Sequence, residues 1–258
     1  MPHHPAPPAP VTLPRLSWGD PSSARHVLLV HGLGSSAALM WRLGDALAAD
    51  GWHATAVDLR GHGDAPRSTD YSIAAFGADL VATLPSSKRG WDAVVGHSLG
   101  GAASALAAAS VPSWTRRLVL IDPAIVLEGR DAAVIRKSQE RAFADNRMET
   151  VRQEHPHWHP QDIELKVDAV ARASRWAVEQ TSAQNQPWDV REAVAALTVP
   201  THVIAADPAV YSLFRGEAAA AILASNPRLT MSVVEGAGHS PHRDKPEETV
   251  RRLREALS

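Results

Sequence analysis

The stretch Gly96-His97-Ser98-Leu99-Gly100 sets one hydroxyl between two glycines, two residues away on either side. An apolar run, WDAVVGH (91–97), leads into it, and an alanine-rich run at helical spacing, LGGAASALAAAS (99–110), leads out. A serine at a sharp strand-to-helix turn is the arrangement of a nucleophile elbow. The glycines make room for that turn, where side chains would collide with neighbouring backbone. The turn holds the serine in a strained conformation and lifts Oγ clear of the sheet edge. It also sets Ser98 at a helix N-terminus, whose free N–H groups and dipole favour an anion. An N-cap serine in an ordinary glycine-rich turn is the plainer alternative, and the strand before and helix after weigh against it.

A serine hydroxyl is a poor nucleophile at neutral pH and needs a base. Thirteen histidines are available. His239, in VVEGAGHSPHRDKPEE, follows the last apolar run and precedes the last helical one, so its loop opens at the same sheet edge as Ser98. Gly236, Ala237 and Gly238 let that loop approach closely. His242 lies nearer the helix and reads as rim or surface. His97 cannot turn back on its own neighbour and is read as packing beside the pocket. The base needs an acid to fix its tautomer. Asp207, ending HVIAAD, completes the chain order Ser, Asp, His and is the favoured acid; Asp122, ending LVLID, also emerges at that edge and is its rival. Two N–H groups must hold the oxyanion. Leu99, next after the serine, supplies one, and Leu33 in HGLGSS the other, with His31 read as structural. Met40, Trp41, Trp158, Trp176 and Trp188 are candidates to line an apolar pocket, although helical residues of this kind equally build cores.

The elements that must carry these groups alternate. HVLLVHG (26–32), HATAVDL (53–59), WDAVVGH (91–97), RRLVLIDPA (116–124), THVIAADP (201–208) and LTMSVVEGAGH (229–239) read as strands, and helical stretches at 35–51, 72–84, 99–110 and 245–258 separate or follow them. Such alternation predicts a parallel sheet covered on both faces by helices. Residues 125–199 break the rhythm with helical patterns and no convincing strand, so a helical cap is expected there. The expected organisation is a Pro-rich disordered arm at 1–12, an α/β core from 13–124 and 200–258, and a cap from 125–199.

Composition narrows the function classes. The chain has 258 residues, enough for a sizeable single core. A net charge of −2 gives no electrostatic footprint for nucleic acid. Without cysteine there is no disulfide, thiolate nucleophile or Cys-ligated metal. The start, MPHHPAPPAP, has no apolar segment of a signal peptide, and no run approaches the ~20 apolar residues of a membrane span. A cytoplasmic protein with no membrane partner fits these features. HPHWHP (155–160) offers three histidines, but its prolines favour an extended turn and no metal site is expected.

The segments VLLVHGLGSS, VDLRGHG, VVGHSLGG, LVLIDP, VIAAD and VEGAGHSPHRDKPEE, in this order, resemble the α/β-hydrolase superfamily in its small esterase, lipase and C–C-hydrolase-like branch. The resemblance covers the chain apart from the arm and cap. It implies a mostly parallel sheet, commonly of eight strands, with the cap inserted after the sixth. The short stretch TLPRLSWGD supplies only part of the opening hairpin, so fewer strands are expected. Asp58, Arg60 and His62 are implied to buttress a loop, and DPAVYSLF departs from the family pattern after Asp207, which keeps Asp122 in contention. Ser98 excludes branches built on an Asp nucleophile. The implied activity is cofactor-free cleavage of an ester-like small molecule through an acyl-serine. Lactonase, thioesterase, C–C hydrolase, perhydrolase and ligand receptor are the alternatives.

Overall fold

The computed structural model describes residues 8–86 and 89–258. Its main sheet has seven strands: β1 (Arg15–Trp18), β2 (His26–Val30), β3 (His53–Val57), β4 (Ala93–His97), β5 (Leu118–Ile121), β8 (Thr201–Ala206) and β9 (Leu229–Val234), in the order β1-β3-β2-β4-β5-β8-β9. Only β1 runs antiparallel, pairing Arg15 with Val57. The opening hairpin thus contributes one strand, and the cap follows the fifth strand in chain order rather than the sixth.

The apolar runs are continuous because both faces of the sheet are buried. In β2, Val27 and Leu29 join one core cluster while Leu28 and Val30 join the other, and in β5 Val119 and Ile121 separate from Leu118 and Leu120 in the same way. Truncating one of these leucines to alanine is expected to cost about 2–5 kcal/mol. Helices α1 (Trp41–Ala49) and α11 (Pro246–Leu257) cover the first face; α2 (Ile73–Ala82), α3 (Leu99–Ser110), α8 (Arg191–Ala195) and α9 (Gly216–Ser225) cover the second.

A two-stranded ribbon of β6 (Val126–Leu127) and β7 (Trp188–Asp189) closes the base of the insertion. Between its strands lie α4 (Gly129–Ala144), α5 (Met148–Glu154), α6 (Pro160–Arg172) and α7 (Arg175–Gln184). Sequence periodicity missed this ribbon because a two-residue strand carries no period. The cap is also shorter than 125–199: Val190, Val194, Leu197 and Val199 are buried in the main core, so α8 belongs with the sheet. Of the expected arm, residues 1–7 lie outside the described residues. Residues 8–12 are tied down, not free: Val11 N–H donates to Asp79 Oδ1 at 2.6 Å and Arg60 Nη2 donates to the Ala9 carbonyl at 3.3 Å. Among the described residues no helix is long and apolar enough to cross a membrane.

Candidate active site

Ser98 joins β4 to α3 with φ 53° and ψ −117°, a conformation side chains rarely adopt. The surroundings over-determine it. Ser98 N–H donates to the Ile121 carbonyl, and its own carbonyl accepts from Ala102 and Ala124, each at 3.1 Å. A Cβ on Gly100 would lie 2.5 Å from the carbonyl oxygens of both Val30 and His31, and one on Gly96 would lie 2.6 Å from the Gly100 oxygen. The elbow therefore requires glycine at both positions.

His239, in the loop between β9 and the short helix α10 (Pro241–Asp244), brings Nε2 to 2.9 Å from Ser98 Oγ. Its Nδ1 lies 2.6 Å from Oδ2 of Asp122, not from Asp207. The favoured acid is thus corrected to its rival, and the reason is sheet order. β5 adjoins β4, so the residue just past β5 sits beside the elbow, whereas Asp207 ends β8, one strand farther out. Asp207 accepts from Gly236 N–H and Ala209 N–H, both at 2.8 Å, pinning the turn that leads to His239. Asp122 shares an unusual backbone with Ser98: they are the two non-glycine residues of positive φ among the described residues.

Asp122 is completely buried and surrounded by donors. Oδ1 accepts from Ser212 Oγ (2.5 Å), Ala206 N–H (3.2 Å) and Phe214 N–H (3.3 Å), and Oδ2 accepts from Leu213 N–H (2.9 Å). The atypical loop after Asp207 supplies three of these four. Burial alone pushes the Asp122 carboxyl up; the hydrogen bond and charge of His239, then Ser212 and Leu213, act against it and hold the carboxyl below its ordinary range. The ionised carboxylate accepts Nδ1–H and leaves the Nε2 lone pair facing the serine hydroxyl.

His97 places Nε2 2.8 Å from the carbonyl of His239, holding the base's backbone. Burial pushes the His97 imidazole far below its usual range, and His242, His239 and Arg243 add to this, so His97 donates as a neutral ring. His242 is buried against His97, with ring centroids 4.7 Å apart, rather than at the rim.

The N–H groups of Leu33 and Leu99 have no acceptor among the described residues, and both residues line the space in front of Ser98. The loop carrying Leu33 is braced from below. His31 Nε2 accepts from Leu59 N–H (3.0 Å), His62 Nε2 accepts from Gly34 N–H (3.1 Å), and Asp58 Oδ1 accepts from Ala37 N–H (2.8 Å). Arg60 pairs with Asp79 in the core below.

Two cavities meet at Ser98. One, of about 370 Å³, is mainly apolar and is lined by Leu33, Leu99, Ala124, Leu127, Ile135 and Trp188. The other, of about 440 Å³, is mainly apolar as well but carries most of the ionisable groups, with His239, His97, Tyr211, Trp158, Lys166 and Arg243 in its lining. Ile135 of α4 borders both. Of the expected pocket residues, Trp188, Trp158 and His97 are therefore placed there. Met40 is not: it is buried in the core between the sheet and α1. Trp41 lines neither cavity; its Nε1 donates to Asp162 Oδ1 at 2.8 Å and fastens α6 to α1. Trp176 is 48% exposed, with its ring edge against Tyr71. Each is a helical residue whose face depends on packing that periodicity alone does not give. The three histidines of HPHWHP diverge: His155 stacks on Trp158, His157 meets Asp244, and His159 caps α6. Lys166 and Arg243 were not singled out in the sequence, because each stands among other charged residues with nothing in the pattern to mark it as buried.

The alpha/beta hydrolase family profile matches residues 27–252. The lipase LipV of Mycobacterium tuberculosis is 38% identical over 109 residues, a match that takes in 42% of this chain and 41% of that protein's length. A 2-(acetamidomethylene)succinate hydrolase of Mesorhizobium japonicum is 30% identical over 258 aligned residues, covering 92% of this chain and 90% of the relative. Among solved structures, an N-formylmaleamic acid deformylase of Pseudomonas putida superposes with a TM-score of 0.78 at 25% identity, over 94% of this chain and 96% of that one.

Proposed function

The chain belongs to the α/β hydrolase family, and we propose that it is a serine hydrolase that cleaves a carboxylic ester or a related acyl bond. The observation that carries this reading is the continuous relay from Ser98 Oγ through His239 to Asp122, at 2.9 and 2.6 Å. The N–H groups of Leu33 and Leu99, in residues that line the cavity at Ser98 and without an acceptor among the described residues, support an oxyanion hole there. The relatives are named for a lipid, a succinate derivative and a maleamic acid, so they share a reaction class and not a substrate.

In this reading Ser98 Oγ attacks the acyl carbon while His239 Nε2 takes the hydroxyl proton. The imidazolium is stabilised by ionised Asp122, and the carbonyl oxygen, now negative, accepts from Leu33 and Leu99 N–H. Collapse of the tetrahedral intermediate breaks the bond to the leaving atom, which receives the proton from Nε2. Water then attacks the acyl-serine, His239 takes its proton, and the second collapse frees the acid and restores Ser98. The cavity of about 370 Å³ suits an acyl chain of modest length.

The test is a p-nitrophenyl ester series from acetate to decanoate, run beside a fluorophosphonate probe on wild type and Ser98→Ala. Turnover and labelling are expected in the wild type, with kcat lowered about 10⁴- to 10⁶-fold in the variant. Labelling without ester turnover would point to a different acyl chemistry. Absence of both would point to a ligand-binding protein.

A further inference from the structure

Resting on the hydrolase reading, we propose that the group leaving from the acyl carbon carries a carboxylate, held by Arg243 and Lys166 in the cavity that they line. Three observations carry this, and the first is Arg243 itself. Its side chain is buried, yet Nε and Nη1 have no partner; only Nη2 is engaged, with Ser240 Oγ at 2.7 Å. Four of the five N–H bonds of a buried guanidinium are thus without an acceptor among the described residues. Burying an unpaired charge is costly unless something supplies the missing acceptors. The guanidinium lies 4.7 Å over the Trp158 ring, which eases that cost without providing an acceptor.

The carboxylates nearby do not fill the gap. Asp162 accepts from Trp41 Nε1 and Arg42 Nε, and Asp244 accepts from Trp158 Nε1, His157 Nε2 and Gly238 N–H. They moderate the field while their oxygens are directed to other donors.

Lys166 is the second observation. It lines the same cavity, and Nζ donates to the Gly34 carbonyl at 2.9 Å, so two of its three N–H bonds remain. Burial, with the charge of Arg243, pushes its ammonium down to about 8. Ser35, also lining the cavity, has a buried Oγ with no partner. Two cations face one space, and Asp244 and the rim residue Glu154 balance them there, so a monoanion fits better than a dianion.

The third observation assigns the cavity to one half of the substrate. The leaving atom must lie within reach of His239 Nε2, which returns its proton. His239 lines the cavity of Arg243 and Lys166 and not the one beside Trp188. The acyl group therefore occupies the side of Trp188, and the leaving group, a hydroxy or amino acid once released, occupies the side of Arg243.

Two esters with one acyl group test this: 4-(butanoyloxy)benzoate and its neutral isostere 4-(butanoyloxy)benzamide. Wild type should favour the benzoate in kcat/KM, and Arg243→Gln should reduce the benzoate-to-benzamide ratio by about 10- to 100-fold. Arg243→Lys should recover part of it, and Lys166→Met should lower it less. Circular dichroism checks that each variant folds. An unchanged ratio in both Arg243→Gln and Lys166→Met would overturn the carboxylate site while leaving the hydrolase standing. Calorimetry separates the two claims: Ser98→Ala should bind the benzoate ester, and adding Arg243→Gln should weaken binding by a similar factor. Arg243-dependent binding with no turnover by wild type would instead overturn the hydrolase, and the leaving-group assignment with it.

Discussion

Asp122→Asn tests the corrected acid at the level of single hydrogens. The backbone should tolerate the change, since φ is 36° and asparagine is among the few residues that accept this region. The side chain has a harder choice. An amide NH2 in the Oδ1 position would face three donors, from Ser212, Ala206 and Phe214; in the Oδ2 position it faces Leu213 N–H and the imidazole. The second orientation leaves fewer donors opposed. It still sets one N–H against another at Leu213, for a stability cost of about 1–3 kcal/mol. It also offers a hydrogen to His239 Nδ1, which must now accept. The ring proton moves to Nε2, and Ser98 loses its base. The expected loss in kcat is about 10⁴-fold. Asp207→Asn keeps an oxygen for only one of the Ala209 and Gly236 N–H groups, but the turn is open to water, which can satisfy the other, so kcat should fall only about two- to threefold. The assay is kcat on p-nitrophenyl butyrate for both variants, with circular dichroism as the check on folding. A nearly inactive Asp207→Asn beside an active Asp122→Asn would refute the reasoning.

Trp188→Ala should enlarge the cavity that it lines and shift the preferred acyl chain longer. Each further methylene accommodated is worth about 0.8 kcal/mol, or nearly fourfold in kcat/KM; an unchanged profile on the p-nitrophenyl ester series would mean that Trp188 does not bound the acyl group. Lys166 is charged below about pH 8 and neutral above it, so the benzoate-over-benzamide preference should decline as pH rises through 8; a ratio flat from pH 7 to 9.5 would remove Lys166 from anion binding. Acid should also unfold the protein early. Burial pushes His31 down to about 4 and His62 to about 3, while an unfolded histidine takes its proton near 6.5. The unfolded chain therefore binds more protons between these values, and stability is lost as pH falls below 6.5, on the order of 5 kcal/mol by pH 4. The depressed Asp122 carboxyl acts in the same direction. The thermal midpoint measured from pH 7 to pH 4 checks this, and a midpoint insensitive to pH would contradict it.

Features encoded within a few consecutive residues were legible in the sequence. The elbow needs only Gly96, Ser98 and Gly100 between an apolar run and a helix, and Leu99 follows from it. The strands were legible because a parallel sheet buried on both faces leaves uninterrupted apolar runs such as HVLLV. His239 was identified by its position after the last strand. Features that depend on the order of strands in space were not legible. Asp122 and Asp207 both end apolar strands before proline, and only the placement of β5 beside β4 decides between them. Met40, Trp41 and Trp176 illustrate the same limit for helices, because periodicity defines an apolar face without saying what it meets. Arg243 stands in the charged stretch HRDKPEE, where nothing in the pattern marks it for burial, and α10 turns it under Trp158.

The central claim is an acyl-enzyme at Ser98, and trapping that intermediate tests it most directly. Wild type mixed with p-nitrophenyl butyrate and acid-quenched within milliseconds should show by intact mass spectrometry a fraction of protein heavier by one butanoyl group. The tryptic peptide from Gly90 to Arg116 should carry that group on Ser98. His239→Ala and Ser98→Ala should show none. Turnover without any adduct on this peptide, or an adduct that persists in Ser98→Ala, would contradict the account.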